Sequence, residues 1–132
     1  LIYDDVIPAL QELESMGMKL AVISNWDDRL VPLLEKLGLA TYFDEVVVSA
    51  VQGAHKPDVA IFRHAAEKLG VPVERLLHVG DSLREDVNGA LGAGAKGLRI
   101  RRSGVEKDGD VALLTGVVEV IRGSLRVIRK SD

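Results

Sequence analysis

Ser24 and Asn25 in "AVISN", Lys56 in "HKPD", and Asp81, Ser82, Glu85 and Asp86 in "VGDSLRED" are residue types that could act together on an anion. A serine hydroxyl and the Asn25 backbone N–H can hydrogen-bond a phosphate or carboxylate, and a lysine ammonium neutralises it as a compact point charge. Asp81 and Asp86 are hard oxygen ligands suited to Mg2+, which keeps several waters and bridges protein carboxylate to substrate phosphate. Each residue alone also has an ordinary structural reading. Ser24 with Asp27 or Asp28 can be a turn and helix cap, Lys56 a solvated lysine, Asp81 or Ser82 an N-cap, and Asp86 a solvent-facing acid early in a helix. Their joint position carries the functional reading, and that position depends on the elements between them.

Those elements alternate. Val6, Leu10 and Leu13, with Ile7 and Met16 beside them, recur at helical spacing, and "KLAVIS" over residues 19–24 is a compact apolar run suited to a buried strand. Leu30, Leu33, Leu34 and Leu37 mark a second helix, and "EVVVSA" over 45–50 a second strand. Pro57 suits an early helical position, Asp58 complements the helix dipole, and Ile61, Phe62, Ala65, Ala66 and Leu69 supply an apolar face. "LLHVG" over 76–80 predicts a third strand, Val87, Ala90 and Leu91 a helix, and "GLRI" over 97–100 a fourth strand. Gly17, Gly38, Gly70 and Gly94 fall where the helices should stop. A polar loop from 101 to 110 and a final helix over 117–128 complete the chain. Strand–helix alternation of this kind predicts a mostly parallel sheet covered by helices. Ligands of such sheets collect beyond the carboxyl ends of the strands. Ser24 and Asn25, Lys56, and Asp81 with Asp86 each follow a different strand, so one crevice can gather them.

The whole chain bounds the alternatives. Its 132 residues suffice for a single domain, and a net charge of −3 leaves no basic footprint for nucleic acid. Arg99, Arg101, Arg102 and the basic residues from Arg122 to Lys130 have no interleaved aromatics and read as a solvated face. There is no cysteine, which excludes disulfides, thiolate metal sites and cysteine nucleophiles. Nor is there a run long and apolar enough for a membrane span, or a start resembling a signal peptide. The expectation is a soluble cytoplasmic protein with no nucleic-acid or membrane partner. Gly92, Gly94 and Gly97 match a dinucleotide-binding spacing, but they follow a helix and precede a strand, the reverse of that turn. His55, His64 and His78 are scattered over different elements and read as loop, helix and near-core residues instead of zinc ligands.

Three ordered motifs carry a resemblance. The chain resembles the haloacid dehalogenase-like hydrolase superfamily over about residues 5–100, with "LAVISN", "HKPDVAIF" and "VGDSLREDVNGALGAG" matching its second, third and fourth motifs. The resemblance implies a Rossmann-like three-layer α/β/α core and Mg2+-dependent phosphoester hydrolysis through an aspartyl-phosphate. It implies that Ser24 binds phosphate and that Lys56 neutralises it and stabilises the nucleophilic carboxylate. Asp81 would bind Mg2+, and Asp86 would position a metal-bound water or ligate more directly.

The family's first motif, a strand followed by Asp-x-Asp-x-Thr or Val, has no counterpart. Asp4 and Asp5 are adjacent at a helix start, and Asp108 and Asp110 have the bare spacing without a strand before them. Lys56 and a metal can bind and polarise a phosphate but cannot replace a nucleophilic carboxylate. Residues 1–132 therefore read as a single partial core domain, the C-terminal part of a larger hydrolase, lacking the first central strand and the cap that selects substrate, and inactive in isolation. The alternative is a noncatalytic phosphate- or metal-binding or protein-interaction module derived from that fold. A small phosphorylated substrate is the expected partner once the segment is supplied. The resemblance implies that the first strand lies between the strands ending at Ser24 and Gly80, so its absence predicts either direct pairing of those two or a domain-swapped or complementing homo-oligomer.

Overall fold

The computed structural model describes residues 4–26, 29–49, 53, 55–101 and 114–131, with the side chains of the last segment described as far as residue 122. Helix α1 spans Val6–Ser15, strand β1 Ala21–Ser24, helix α2 Leu30–Lys36 and strand β2 Glu45–Val48. Helix α3 covers Val59–Leu69 and strand β3 Leu77–Gly80. A π-helical turn, Leu83–Asn88, runs into the short helix α4, Gly89–Gly92. Strand β4, Lys96–Arg99, and helix α5, Leu114–Ser131, follow. The strands expected over 19–24, 76–80 and 97–100 are present with slightly different ends, and the last helix extends beyond both ends of 117–128. The cap and spacing readings that involve Asp27, Asp28, Asp108 and Asp110 lie outside the described residues.

Strands β1 and β2 pair in parallel, with Val22 opposite Val46 and Ile23 opposite Val47. Successive side chains on a strand point to opposite faces, and both faces here are apolar. Ala21, Ile23 and Val47 therefore join Ile61, Phe62, Ala65 and Leu69 of α3 on one side. Val22, Val46 and Val48 join Leu10 of α1 and Leu30 and Leu34 of α2 on the other. The result is a three-layer, Rossmann-like α/β arrangement. Ile61 and Phe62 have no exposed surface, and burying each contributes roughly 2 to 3 kcal/mol. The four helix-terminal glycines all take left-handed φ, between 71° at Gly70 and 91° at Gly94, where a Cβ would be strained. Helix α5 lies against α1: the Leu114 N–H donates to Asp5 Oδ2 at 2.7 Å, Arg122 pairs with Glu12, and Val117 and Val118 are buried.

Pro57 is not in helix α3. Asp58 is the N-cap and its Oδ1 accepts the Ala60 N–H at 2.9 Å, so the first helical residue is Val59. A side-chain cap satisfies an orphan N–H that proline at the first position would only have avoided. Lys56 and Pro57 consequently stay in the loop.

Strands β3 and β4 form a second parallel ladder, with Val79 opposite Leu98. Among the described residues no backbone pairing joins β1 to β3. The direct pairing anticipated for a sheet without its first strand is therefore not found. Helix α3 links the two regions: its apolar face contributes to one cluster with Ala21 and Ile23 of β1, Val47 of β2, and Leu76, Ala90, Ala93 and Ala95, which flank the second ladder. Each of β1 and β3 keeps one side with no backbone partner among the described residues.

Candidate phosphate and metal site

The carboxyl ends of β1 and β3 are tied together through the loop before α3. Asn25, directly after β1, uses its whole side-chain amide on Lys56: Nδ2 donates to the Lys56 carbonyl at 3.1 Å and Oδ1 accepts the Lys56 N–H at 2.7 Å. This clasp fixes the lysine backbone to the tip of β1. The Lys56 side chain then reaches Asp86, with Nζ 2.5 Å from Oδ1. Three loops that are far apart in sequence thereby become one hydrogen-bonded chain.

Asp86 owes its position to the π-helical turn. Widening of the helix there lets the Val87 N–H reach the Ser82 carbonyl at 3.2 Å while the Asp86 N–H reaches the same oxygen at 2.9 Å. The turn rotates Asp86 inward, where the residue is 3% exposed. Ser82 starts the turn: its hydroxyl accepts the Glu85 N–H at 3.0 Å and its own N–H donates to Asp86 Oδ2 at 3.0 Å. His78 Nε2 lies 2.8 Å from Asp86 Oδ1. Gly80 is required beneath this group, because a Cβ there would overlap the Asp86 carboxylate.

Burial by itself would raise the Asp86 carboxyl. The hydrogen bonds from His78, Lys56 and the Ser82 N–H, with the Lys56 charge, outweigh it and hold the carboxyl well below the usual carboxylate range. Asp86 is thus a buried, charged anchor and not the solvent-facing acid of the ordinary reading.

The other expected residues sit at the same edge with different surroundings. Ser24 is the last residue of β1, half-buried, and its hydroxyl has no partner among the described residues. The Asn25 side chain is occupied by Lys56, which leaves its backbone N–H as the group it can offer an anion. Asp81 is exposed, and its carbonyl accepts from Arg99 Nε at 3.3 Å. Of the two N-cap candidates, Ser82 is the cap. Trp26 lies just beyond Asn25, with its carbonyl accepting from Ser49 Oγ at 3.1 Å and the Arg29 guanidinium 5.2 Å from its ring centroid.

No group of three His, Asp or Glu side chains among the described residues could hold a metal ion. The two acids offer an exposed carboxylate, Asp81, and one whose oxygens already take three protein donors, Asp86. Mg2+ commonly takes one or two protein carboxylates and completes its shell with water and phosphate. The donor set therefore fits one flank of a Mg2+ site.

His78 is the residue that sequence reasoning undervalued. A single histidine inside an apolar strand has the pattern of a near-core residue, and nothing in the local pattern marks Asp86 as its partner.

The chain matches the family model for haloacid dehalogenase-like hydrolase over residues 1–94. It is 46% identical over 101 residues to a glyceraldehyde 3-phosphate phosphatase of Methanopyrus kandleri, covering 76% of this chain and 43% of that protein. It is 35% identical over 106 residues to haloacid dehalogenase-like hydrolase domain-containing protein 3 of Danio rerio, covering 80% of this chain and 44% of that one. The chain thus spans less than half the length of these relatives. A solved HAD phosphatase from Thermococcus onnurineus superposes with a TM-score of 0.86 at 32% identity, covering 91% of this chain and 58% of that structure.

Proposed function

The chain belongs to the haloacid dehalogenase-like hydrolase family, and from that premise we propose that it supplies the phosphate- and metal-side half of a Mg2+-dependent phosphoester hydrolase. The observation that carries the proposal is the Asn25–Lys56–Asp86 chain, which holds one ammonium at the carboxyl edge of the sheet. Ser24 donates its hydroxyl, and Asn25 its backbone N–H, to the phosphoryl oxygens. Lys56 neutralises them, and Asp86 keeps its ammonium in place. Asp81 and Asp86 would be the residues that hold Mg2+, and the ion would neutralise charge on the phosphate.

Neither Asp81 nor Asp86 is spare as a nucleophile. In this reading the attacking carboxylate comes from a segment other than the described residues, placed beside the sides of β1 and β3 that have no backbone partner among those residues. Residues 1–132 alone accordingly bind without turning over. The substrate class is a small phosphorylated compound, in keeping with relatives named for glyceraldehyde 3-phosphate and, in Neisseria meningitidis, phosphoglycolate.

Residues 1–132 incubated with Mg2+ and a broad phosphoester panel should show no turnover, while inorganic phosphate should bind and Lys56→Met should weaken that binding at least about tenfold. Robust turnover abolished by Asp81→Asn would overturn the division of labour. Phosphate affinity unchanged in Lys56→Met would overturn the site.

A further inference from the structure

His78 stands out because a buried imidazole is aimed at the same oxygen that Lys56 uses. It lies on β3 between Leu77 and Val79, is 9% exposed, and meets Phe62 of α3 edge to face with ring centroids 5.1 Å apart. Packing explains the ring but not its polar edge. Nε2 lies 2.8 Å from Asp86 Oδ1, and a carboxylate oxygen only accepts, so the proton of that bond is on Nε2.

The geometry has a consequence for the lysine. A carboxylate held through one oxygen can swing about its Cβ–Cγ bond, and a lysine on a flexible four-carbon stem would swing with it. Asp86 is instead gripped on both oxygens by groups fixed in the backbone framework: Oδ2 by the Ser82 N–H and Oδ1 by His78 on β3. The carboxylate plane is set before Lys56 binds it, and it dictates where the ammonium sits.

We infer that His78 is a positioning residue which, with the Ser82 amide, clamps Asp86 so that the Lys56 ammonium is pre-set for an incoming phosphate. The phosphate half of this statement rests on the proposed function; the clamp on Lys56 does not.

Two substitutions separate donor from packing. His78→Phe keeps a ring against Phe62 and removes the N–H, whereas His78→Gln removes the ring and keeps an N–H2 near the Nε2 position. With inorganic phosphate as the probe, titrated into labelled residues 1–132, His78→Phe should raise the dissociation constant about tenfold, and His78→Gln should stay within about twofold of wild type. Wild-type affinity in His78→Phe, or equal loss in both variants, overturns the inference.

The ammonium of Lys56 gives a readout that needs no ligand. Its 1H–15N signal should be seen in wild type and His78→Gln and vanish in His78→Phe as exchange with water speeds up; persistence in His78→Phe overturns the clamp. Should phosphate bind to none of the three proteins, the phosphate reading falls and this signal still decides the role of His78. A long-range 1H–15N spectrum of the wild-type ring decides it independently of any variant, because a neutral ring protonated only on Nδ1 contradicts the clamp.

Discussion

At Asp86 a single carboxylate carries both the local stability and the geometry of the site. Converting it to a neutral amide leaves the Lys56 ammonium, 13% exposed, without its counter-ion. Asp86→Asn should cost about 3 kcal/mol, read as a lower urea midpoint, because a half-broken buried pair strands a charge. The pH dependence has a definite sign. A group whose folded pKa is depressed contributes stability above its unfolded value, about 3.9 for Asp, and that contribution disappears as pH falls toward the folded value. Wild type should therefore lose stability progressively below about pH 4, while Asp86→Asn should show a flatter acid limb over the same range. Equal acid slopes would mean that the carboxyl is not held in its charged form by His78, Lys56 and Ser82. Which residues cluster at this edge was legible in the sequence, since each follows an apolar run. The inward turn of Asp86 was not, because an acid early in a helix has the same local pattern whether it faces solvent or core.

The π-helical turn and the glycines beneath it form the element that aims Asp86. A Cβ at Gly97 would approach the Val87 backbone to 2.9 Å, and one at Gly80 would overlap the Asp86 carboxylate. Gly97→Ala should destabilise by about 2 kcal/mol through overpacking, with Gly80→Ala at least as severe and also weakening phosphate binding. Gly92 is the control: its nearest neighbour would be Val59 Cγ1 at an ordinary 3.7 Å, so Gly92→Ala should change stability by less than about 1 kcal/mol. Thermal or urea denaturation of the three variants checks the order. Sequence spacing placed a helix here without distinguishing α from π, because the wider turn depends on what packs beneath it. The cap of α3 is a similar case. Asp58 and Pro57 were both plausible first-turn residues, and the Ala60 hydrogen bond selected Asp58 as the cap.

For the molecule as a whole, the sides of β1 and β3 that have no backbone partner among the described residues are the feature with the largest consequence. Unpaired strand edges template pairing with another chain. We expect residues 1–132 to self-associate by swapping or complementation, so that the sedimentation coefficient rises across a concentration series; a concentration-independent monomer would count against it. Among the described residues no helix is long and apolar enough to cross a membrane. The order of strands and helices, the helix-ending glycines and the three loops that meet at one edge were determined by the sequence, because periodicity, turn chemistry and the parallel-sheet rule are local or topological. Only the tertiary structure decided that, among the described residues, β1 and β3 do not pair with each other, that Asp86 is buried, and that His78 contacts it. Those outcomes rest on contacts between segments distant along the chain, where the identity of a neighbour changes a residue's role without changing the pattern around it.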